Sequence, residues 1–402
     1  MQTFDVVVVG GGPSGSTAAT DLVRQGFSVL LLDRAGRTKP CGGAIPPRLI
    51  ADFEIPDSLL VARATAARMV SPTDRRVDIP IEGGFVGMVD RDQFDEWLRQ
   101  RAVSCGAERR TGHFDHLSHD DDGVSVVHYR SRDPGGDQRG DDAGPIQHVR
   151  ARIVIGADGA RSEVARQAIP GAEQGRFVFA YHEILRTPEQ PPADFDKSRC
   201  EVHYKGSLSP DFYGWVFPHG PTVSVGIGSA DKGFSLRGAV AELRRHVSLA
   251  GAETLRREGA PIPMKPLPRW DNGRDVLVVG DAAGVVAPAS GEGIYYAMAS
   301  ARFAAQTVAE VLRGGNPKLL RRARQRFMRD HGRVFWVLGV MQHFWYSSDG
   351  RRERFVGICR DRDVQQLTFD AYMHKRLVRA RPWAHVRIFF KDVAHLLGLA
   401  RA

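Results

Sequence analysis

The sequence predicts an α/β fold: a parallel sheet covered by helices, with a β-rich insertion and a helical C-terminal region. Three observations predict it. The runs Phe4–Val9, Val149–Ile155 and Val276–Val279 are mostly apolar, with only Asp5, Arg150 and Arg152 charged, and rich in β-branched residues, the pattern of strands buried on both faces. Each runs into a glycine turn: Gly10-Gly11-Gly12-Pro13-Ser14-Gly15, Gly156-Ala157-Asp158-Gly159 and Gly280-Asp281-Ala282-Ala283-Gly284. Helix-forming segments follow the first and the third.

The elements follow in order. After the first strand, Ser16 to Gln25 reads as an Ala/Leu helix stopped by Gly26, and Phe27–Leu32 as a second buried strand ending in Asp33. Together they make one βαβ unit of about thirty residues. Thr38 to Pro47 is a Pro/Gly-rich loop containing Lys39-Pro40-Cys41-Gly42-Gly43-Ala44. Short strands alternate with turns from Pro56 to Gly87. A helix capped by Asp90 then runs from Arg91 towards Gly106. Gly112 to Ile155 reads as strand, loop, strand, with the polar stretch Asp133–Gly144 as a mobile hairpin tip. Phe177 to Ile227 is β-rich and aromatic, and Leu236–Val247 is a helix. Gly291-Glu292-Gly293-Ile294 opens a long helix to about Leu312, with basic, aromatic-rich helices beyond. There is no internal repeat.

Composition narrows the classes. The 402 residues are 42% apolar and 26% charged, an ordinary globular balance with material for a large core. Four cysteines rule out a disulfide framework and read as thiols in a reducing compartment. The cysteines and histidines show no metal-ligand spacing, so no metal is expected. The N-terminus carries no targeting pattern. The most suspicious window for a span, Val334 to Ser348, is uncharged over only fifteen residues, short of the roughly twenty that span a bilayer. From Arg313 to Ala402 there are 20 Lys and Arg against 7 Asp and Glu, so the net charge of +9 is a C-terminal property. No nucleic-acid signature accompanies it. The charge excess is either a solvated basic face or an attractor for anionic lipid or an acidic substrate, and Val334 to Tyr346, with Phe335, Trp336, Phe344, Trp345 and Tyr346, is either a membrane-surface or pigment-docking element or a helix packed over the catalytic domain.

Gly10-x-Gly12-x-x-Gly15, between a strand and a helix, has the context of a Rossmann-like dinucleotide site. Gly10 permits the turn, Gly12 lets backbone approach a pyrophosphate, and Gly15 allows close helix–sheet packing. The helix start offers N–H groups and a positive dipole end to phosphates. Asp33 is placed to accept from both ribose hydroxyls. The dinucleotide could be NAD or FAD. The later motifs favour FAD: Gly280-Asp281 after a buried strand can hold a ribityl hydroxyl. The glycine-rich helix start at Gly291 and Gly293 can set N–H groups near a flavin.

This motif order resembles the aromatic-hydroxylase-like superfamily of FAD enzymes over residues 1 to about 325. The resemblance implies an ADP-binding first motif (Gly10, Gly12, Pro13, Ser14, Gly15, with Asp33 and Arg34) and a middle motif at Asp158-Gly159. It also implies a ribityl contact at Gly280-Asp281 and FAD contacts at Gly291, Gly293 and Ile294. Arg91, ahead of Phe94-Asp95-x-x-Leu98, matches an arginine near the flavin chain, and the backbone around Phe114 should lie near the adenine.

A closer resemblance rests on Lys39-Pro40-Cys41-Gly42-Gly43-Ala44-Ile45-Pro46, Tyr213-Gly214-Trp215-Val216-Phe217-Pro218, Pro288-Ala289-Ser290-Gly291-Glu292-Gly293-Ile294 and Gly259 to Pro266. These are similar to the geranylgeranyl reductases, most of all the chlorophyll and bacteriochlorophyll branch. This resemblance implies an NADPH-driven enzyme that saturates three of the four double bonds of a geranylgeranyl chain, leaving phytyl, on a pigment or on the free diphosphate. It implies that Cys41, Gly42, Gly43 and Ala44 meet the flavin. The missing second GxGxxG fits a family that takes hydride from NADPH without a dedicated Rossmann domain. A cytoplasmic protein, peripheral on the photosynthetic membrane, is the expected setting.

The chemistry sets its own demands. An isolated alkene has no carbonyl to polarise it, so hydride transfer needs a proton delivered to the other carbon in an apolar, water-poor site. Tyr213, Trp215 and Phe217 are either the wall of that site or core aromatics of a sheet. Cys41 is either a proton donor or a space-filler. Glu292 is either a proton relay or a carboxylate favoured by the helix dipole. The expected domains are 1–60, 85–175 and 260–325 for FAD, 61–84 and 176–259 for substrate, and 326–402 as the basic helical region. The rival functions are a flavin monooxygenase or halogenase, an archaeal-type lipid prenyl reductase, and a non-catalytic prenyl-binding escort.

Overall fold

The computed structural model describes residues 1–34, 39–131, 144–365 and Lys375. The chain opens with β1 (Thr3–Val9), α1 (Pro13–Val23), β2 (Val29–Asp33), β3 (Ala44–Ile45) and α2 (Pro47–Asp52). Then come β4 (Leu60–Ala64), β5 (Ala66–Val70), β6 (Arg76–Pro80), β7 (Val86–Val89) and α3 (Arg91–Ser104). The middle holds β8 (Glu108–His119), β9 (Ser125–Ser131), β10 (Ile146–Gly156), α4 (Glu163–Ala168) and β11 (Phe177–Arg186). It continues with β12 (Arg199–His203), β13 (Gly214–His219), β14 (Thr222–Ser229) and α5 (Leu236–His246). The last elements are β15 (Thr254–Pro263), β16 (Val276–Val278), α6 (Ile294–Gly314), α7 (Arg322–Trp345) and α8 (Asp349–Ile358). The expected hairpin tip at 133–144 lies outside the described residues except for Gly144, as does most of the chain after 365.

Two compact units result. The first comprises Met1–Lys39, Arg91–Phe177 and Pro261–Gly332; the second comprises Pro40–Asp90, Val178–Ala260 and Arg333–Ala402. This division differs from the expected one. Residues 40–60 and 85–90 group with the second unit because β3 and β4 both pair with β7. A two-residue strand such as β3 leaves no periodicity to read. The C-terminal segment also divides, at 332/333, instead of forming a region of its own.

In the first unit, β2, β1, β10 and β16 are parallel neighbours, and β8 runs parallel to β2. β9 pairs antiparallel with both β8 and β10. Val6–Val9 and Leu30–Leu32 are almost wholly buried, as the unbroken apolar runs require. α1 packs against α3 and α6 and buries nearly all its residues. Because five neighbouring strands share one direction, their C-terminal ends lie on one sheet edge, where open α/β sheets bind ligands.

In the second unit, seven strands run in the order β15-β11-β14-β13-β12-β5-β6, and β3, β7 and β4 form a small separate sheet. α5 is capped by the Ser235 hydroxyl, which accepts from Gly238 N. Ala239, Val240 and Leu243 of α5 pack on Val216, Val223, Val225 and Ile227. Strand alternation therefore turns Trp215, Phe217, Ser224 and Gly226 to the opposite face.

Candidate active site

The three glycine motifs of the first unit meet on that sheet edge. A Cβ on Gly10 would stand 2.3 Å from Ala157 O, and one on Gly15 1.8 Å from Gly10 O. Gly280 is as tight against Ser14, 2.5 Å from its Oγ, and Gly280 N donates to Ser300 Oγ at 3.0 Å. Gly12 differs: a Cβ there would meet nothing within 4 Å. The protein's own packing does not require glycine at 12, but an approaching pyrophosphate would. Gly12 is also the N-cap of α1, and no side chain caps that helix, whose first turn begins with Pro13 and the buried Ser14. The edge thus fits a dinucleotide phosphate.

Around this cradle the charged groups are already engaged. Asp33 Oδ1 accepts from Gly11 N at 3.0 Å, and Oδ2 lies 3.2 Å from Arg99 Nη1. Arg99 also donates to Gly11 O. Arg34 follows, half-buried. Arg91 is buried and grips Asp95 through both Nε and Nη2, at 2.8 and 2.7 Å. Asp281 pairs with Lys39. The Asp158 carboxylate turns towards α4, accepting from Ser162 Oγ, Glu163 N and Val164 N. Gly159 beside it has φ +91°, and a Cβ there would meet nothing within 4 Å.

The remaining predicted positions lie beside these. β8 pairs with β2 only up to Thr111 opposite Asp33. Its continuation to Phe114 passes the edge where β2 ends. Gly291 has φ +64°, and Ala287 N donates to Glu292 O at 2.8 Å, which tightens the loop ahead of α6. α6 begins at Ile294 with Gly293 as N-cap and no side-chain cap, a second open helix start. The buried Glu292 lies in the loop before the helix and not in its first turn.

The second unit holds the other predicted group. Gly43 N donates to Cys41 Sγ at 3.4 Å, closing a tight turn, and Ala44 then pairs with Met88. Gly43 has φ +68°, and a Cβ there would stand 2.5 Å from Val89 O and 2.6 Å from His219 Nε2. Gly42 sits over the Phe217 ring, its Cβ position 3.1 Å from the ring and 4.0 Å from Trp215 Nε1. Tyr213, Trp215 and Phe217 form a ladder, with centroids 6.2 and 6.3 Å apart. Burial pushes the His219 imidazole below its ordinary pKa, so it is neutral at pH 7.

The comparisons with known proteins agree with this geometry. Residues 3–329 match the family described as FAD binding domain. The geranylgeranyl diphosphate reductase of Rhodobacter capsulatus is 54% identical over 396 residues, covering 98% of either chain. That of Synechocystis is 36% identical, covering 98% of this chain and 97% of its own.

The chain belongs to the geranylgeranyl diphosphate reductase family.

FAD is the cofactor of its binding domain. Among solved structures, a geranylgeranyl bacteriochlorophyll reductase-like protein from Thermoplasma acidophilum superimposes with TM-score 0.81, covering 96% of this chain and 100% of its own. At 23% identity that likeness speaks for the fold alone. The full-length relatives do not favour the monooxygenase, halogenase, archaeal-lipid or escort readings.

Sequence reasoning missed Arg99, Lys39 and His219. Arg99 stands two helical turns after Arg91 on α3, so the spacing alone could have placed it on the same face. Among the described residues, no group of three or more His, Cys, Asp or Glu is arranged to hold a metal. No helix of the described residues is long and apolar enough to cross a membrane.

Proposed function

We propose that this family member uses NADPH to saturate three double bonds of a geranylgeranyl chain, carried on bacteriochlorophyll or chlorophyll or presented as the free diphosphate. The observation that supports it is the meeting of three separate glycine motifs around the open Gly12, in a chain that resembles the curated reductases along its whole length. Bound FAD supplies the hydride that NADPH delivers to it. In this reading Gly10, Gly12, Pro13, Ser14 and Gly15 seat the pyrophosphate, and Asp33 and Arg34 face the ribose. The Phe114 backbone flanks the adenine, Gly159 meets the ligand through backbone, and Asp158 holds that backbone in place. Arg91, Gly280 and Asp281 hold the flavin's chain. Gly293 and Ile294, at the uncapped start of α6, offer N–H groups to the ring, and Gly291 shapes the loop ahead of them, its own N–H bonded to Ala287 O; Gly42, Gly43 and Ala44 are further candidate flavin contacts, with Gly43 N bonded to Cys41 Sγ.

Each round adds a hydride to one alkene carbon and a proton to the other, consuming one NADPH and one proton. Tyr213, Trp215 and Phe217 exclude water from the chain and face developing cationic character with their π-clouds. Cys41 Sγ and the Glu292 carboxylate are the candidate groups to hold the proton. Anaerobic incubation with NADPH and geranylgeranyl bacteriochlorophyll, read by mass spectrometry, tests this. A gain of six hydrogens is expected; an added oxygen would redirect the assignment to oxygenation.

The same reading includes peripheral docking on an anionic membrane. On α7, Arg333, Trp336, Val340 and His343 are exposed at helical spacing, with Trp336 71% and Val340 49% accessible. A tryptophan among cations suits a lipid headgroup region. Flotation with anionic liposomes at low salt should carry the protein upward, and Trp336→Ser should weaken it; no flotation ends the idea.

A further inference from the structure

Four strands of the seven-stranded sheet bring together a buried polar chain that the proposed function does not use. Gly226 of β14 lies directly opposite both His182 of β11 and Trp215 of β13. A Cβ on Gly226 would stand 2.1 Å from Trp215 Cζ2 and 2.6 Å from His182 Cβ, so only glycine lets the two rings close over the strand. Their centroids are 6.1 Å apart. Trp215 Nε1 donates to Ser224 Oγ at 3.1 Å, and Ser224 Oγ lies 3.0 Å from His182 Nδ1. His182 Nε2 is 3.1 Å from Glu258 Oε2, and Arg256 Nε stands 3.4 Å from the other carboxylate oxygen. Ser224 is fully buried, and His182 is 3% exposed.

One proton position follows from its donor. Indole N–H can only donate, so Ser224 Oγ accepts from Trp215. With one lone pair used by the indole, Ser224 Oγ either donates to His182 Nδ1 or accepts from it on its second lone pair, according to the tautomer of the imidazole. His182 Nε2 and Glu258 Oε2 stand close enough for an ion pair, but the imidazole nitrogen makes no hydrogen bond of good geometry there. The chain has one partly exposed end, at Glu258. Buried under the indole, Ser224 is not placed to reach a substrate, but it sets the rotation of the ring in front of it.

We propose that Ser224, His182 and Glu258 are positioning residues that lock the Trp215 indole and thereby set the width of the apolar face offered to a prenyl chain. The inference rests on the reading of Tyr213, Trp215 and Phe217 as that face. It deepens that reading by naming what holds the wall in place. A lock of this kind acts on fit, so its loss should raise KM for the prenyl substrate more than it lowers kcat.

The test uses the full-length holoenzyme labelled with ¹⁵N-tryptophan. The chain has six tryptophans, and Trp215→Phe identifies the signal of interest among six indole N–H resonances. Ser224→Ala should move that signal and leave the other five in place, which also reports that the variant is folded. It should raise KM about two- to tenfold, the fold-change of one neutral hydrogen bond. In the Trp215→Phe background the same substitution should add nothing. Glu258→Gln, which keeps the size and polarity of the group beside His182, should raise KM less than Glu258→Leu. An unmoved indole signal, or an equal rise in KM with and without Trp215, overturns the lock. A moved signal with KM unchanged in both Ser224→Ala and Trp215→Phe overturns the reading of this face as the substrate wall, and with it the claim on specificity.

Discussion

Replacing Gly12 and Gly15 by alanine separates a glycine that a ligand demands from one that the fold demands. At Gly12 the backbone has φ −74° and ψ −173°, which any L-residue adopts, and the added Cβ meets nothing within 4 Å. The cost to the protein without flavin is that of a poorer N-cap, about 0.5–1 kcal/mol. A change of that size shifts a melting temperature by at most about 2–4 °C. With flavin the same methyl would hold a pyrophosphate away from the α1 N–H groups. Losing one or two charge-assisted hydrogen bonds costs about 2–4 kcal/mol, roughly 30- to 1000-fold in Kd. At Gly15 the Cβ would lie 1.8 Å from Gly10 O, backbone that cannot yield without moving β1 or α1. Gly15→Ala should therefore destabilise the unliganded protein by several times the Gly12→Ala cost. Thermal melts of the apoprotein, paired with titration of FAD followed by quenching of its fluorescence, read both quantities. Gly12→Ala binding FAD as tightly as the wild type would refute the assignment of the cradle; so would Gly12→Ala melting as early as Gly15→Ala.

Two further predictions concern the second unit. Gly43→Ala forces a left-handed φ of +68° on alanine and drives its Cβ to 2.5 Å from Val89 O. The conformation alone costs about 1–2 kcal/mol. Cys41→Ala removes only a weak N–H···S contact and should cost less; urea melts compare the two, and equal losses would count against the turn geometry. The second prediction is acid sensitivity. Burial holds His219 and His203 below their ordinary pKa, so the unfolded chain takes up their protons first as pH falls. Stability should be constant above about pH 6.5 and drop below it, with a limiting slope of about 1.4 kcal/mol per pH unit per histidine. His219→Gln should flatten part of that slope between pH 6.5 and 5, measured by denaturant midpoints; an unchanged slope would argue that His219 is protonated in the fold.

Much of the first unit was legible because its signals are local. The β-branched runs and the glycines after them sit next to each other in the chain, and parallel pairing then carries their ends to one edge. What a carboxylate does at such an edge was less legible. Asp158 and Asp33 occupy nucleotide-binding motifs, yet the Asp158 carboxylate is spent on the start of α4, and Asp33 is shared with Gly11 and Arg99. Spacing says where a side chain sits and not where it points. The Ser224–His182–Glu258 chain was invisible for a different reason: it comes from three strands whose register fixes it, and none of the three carries a motif. The pairing of β3 with β7 leaves little trace in the sequence because β3 is two residues long and its partner comes more than forty positions later.

Glycine supplies the last step, because the same residue type answers to different neighbours in the two units. Gly226 is held small by Trp215 and His182, and Gly15 by Gly10 O; both contacts are internal and would exist in a protein that bound nothing. Gly12 has no such neighbour. If a family motif were maintained for folding alone, its middle glycine should be as crowded as its flanking ones. The reverse holds: the two outer glycines lock α1 to the sheet, and the middle one is left clear at an uncapped helix start. Clearance beside unpaired N–H groups is what an anionic ligand requires and what packing alone does not produce.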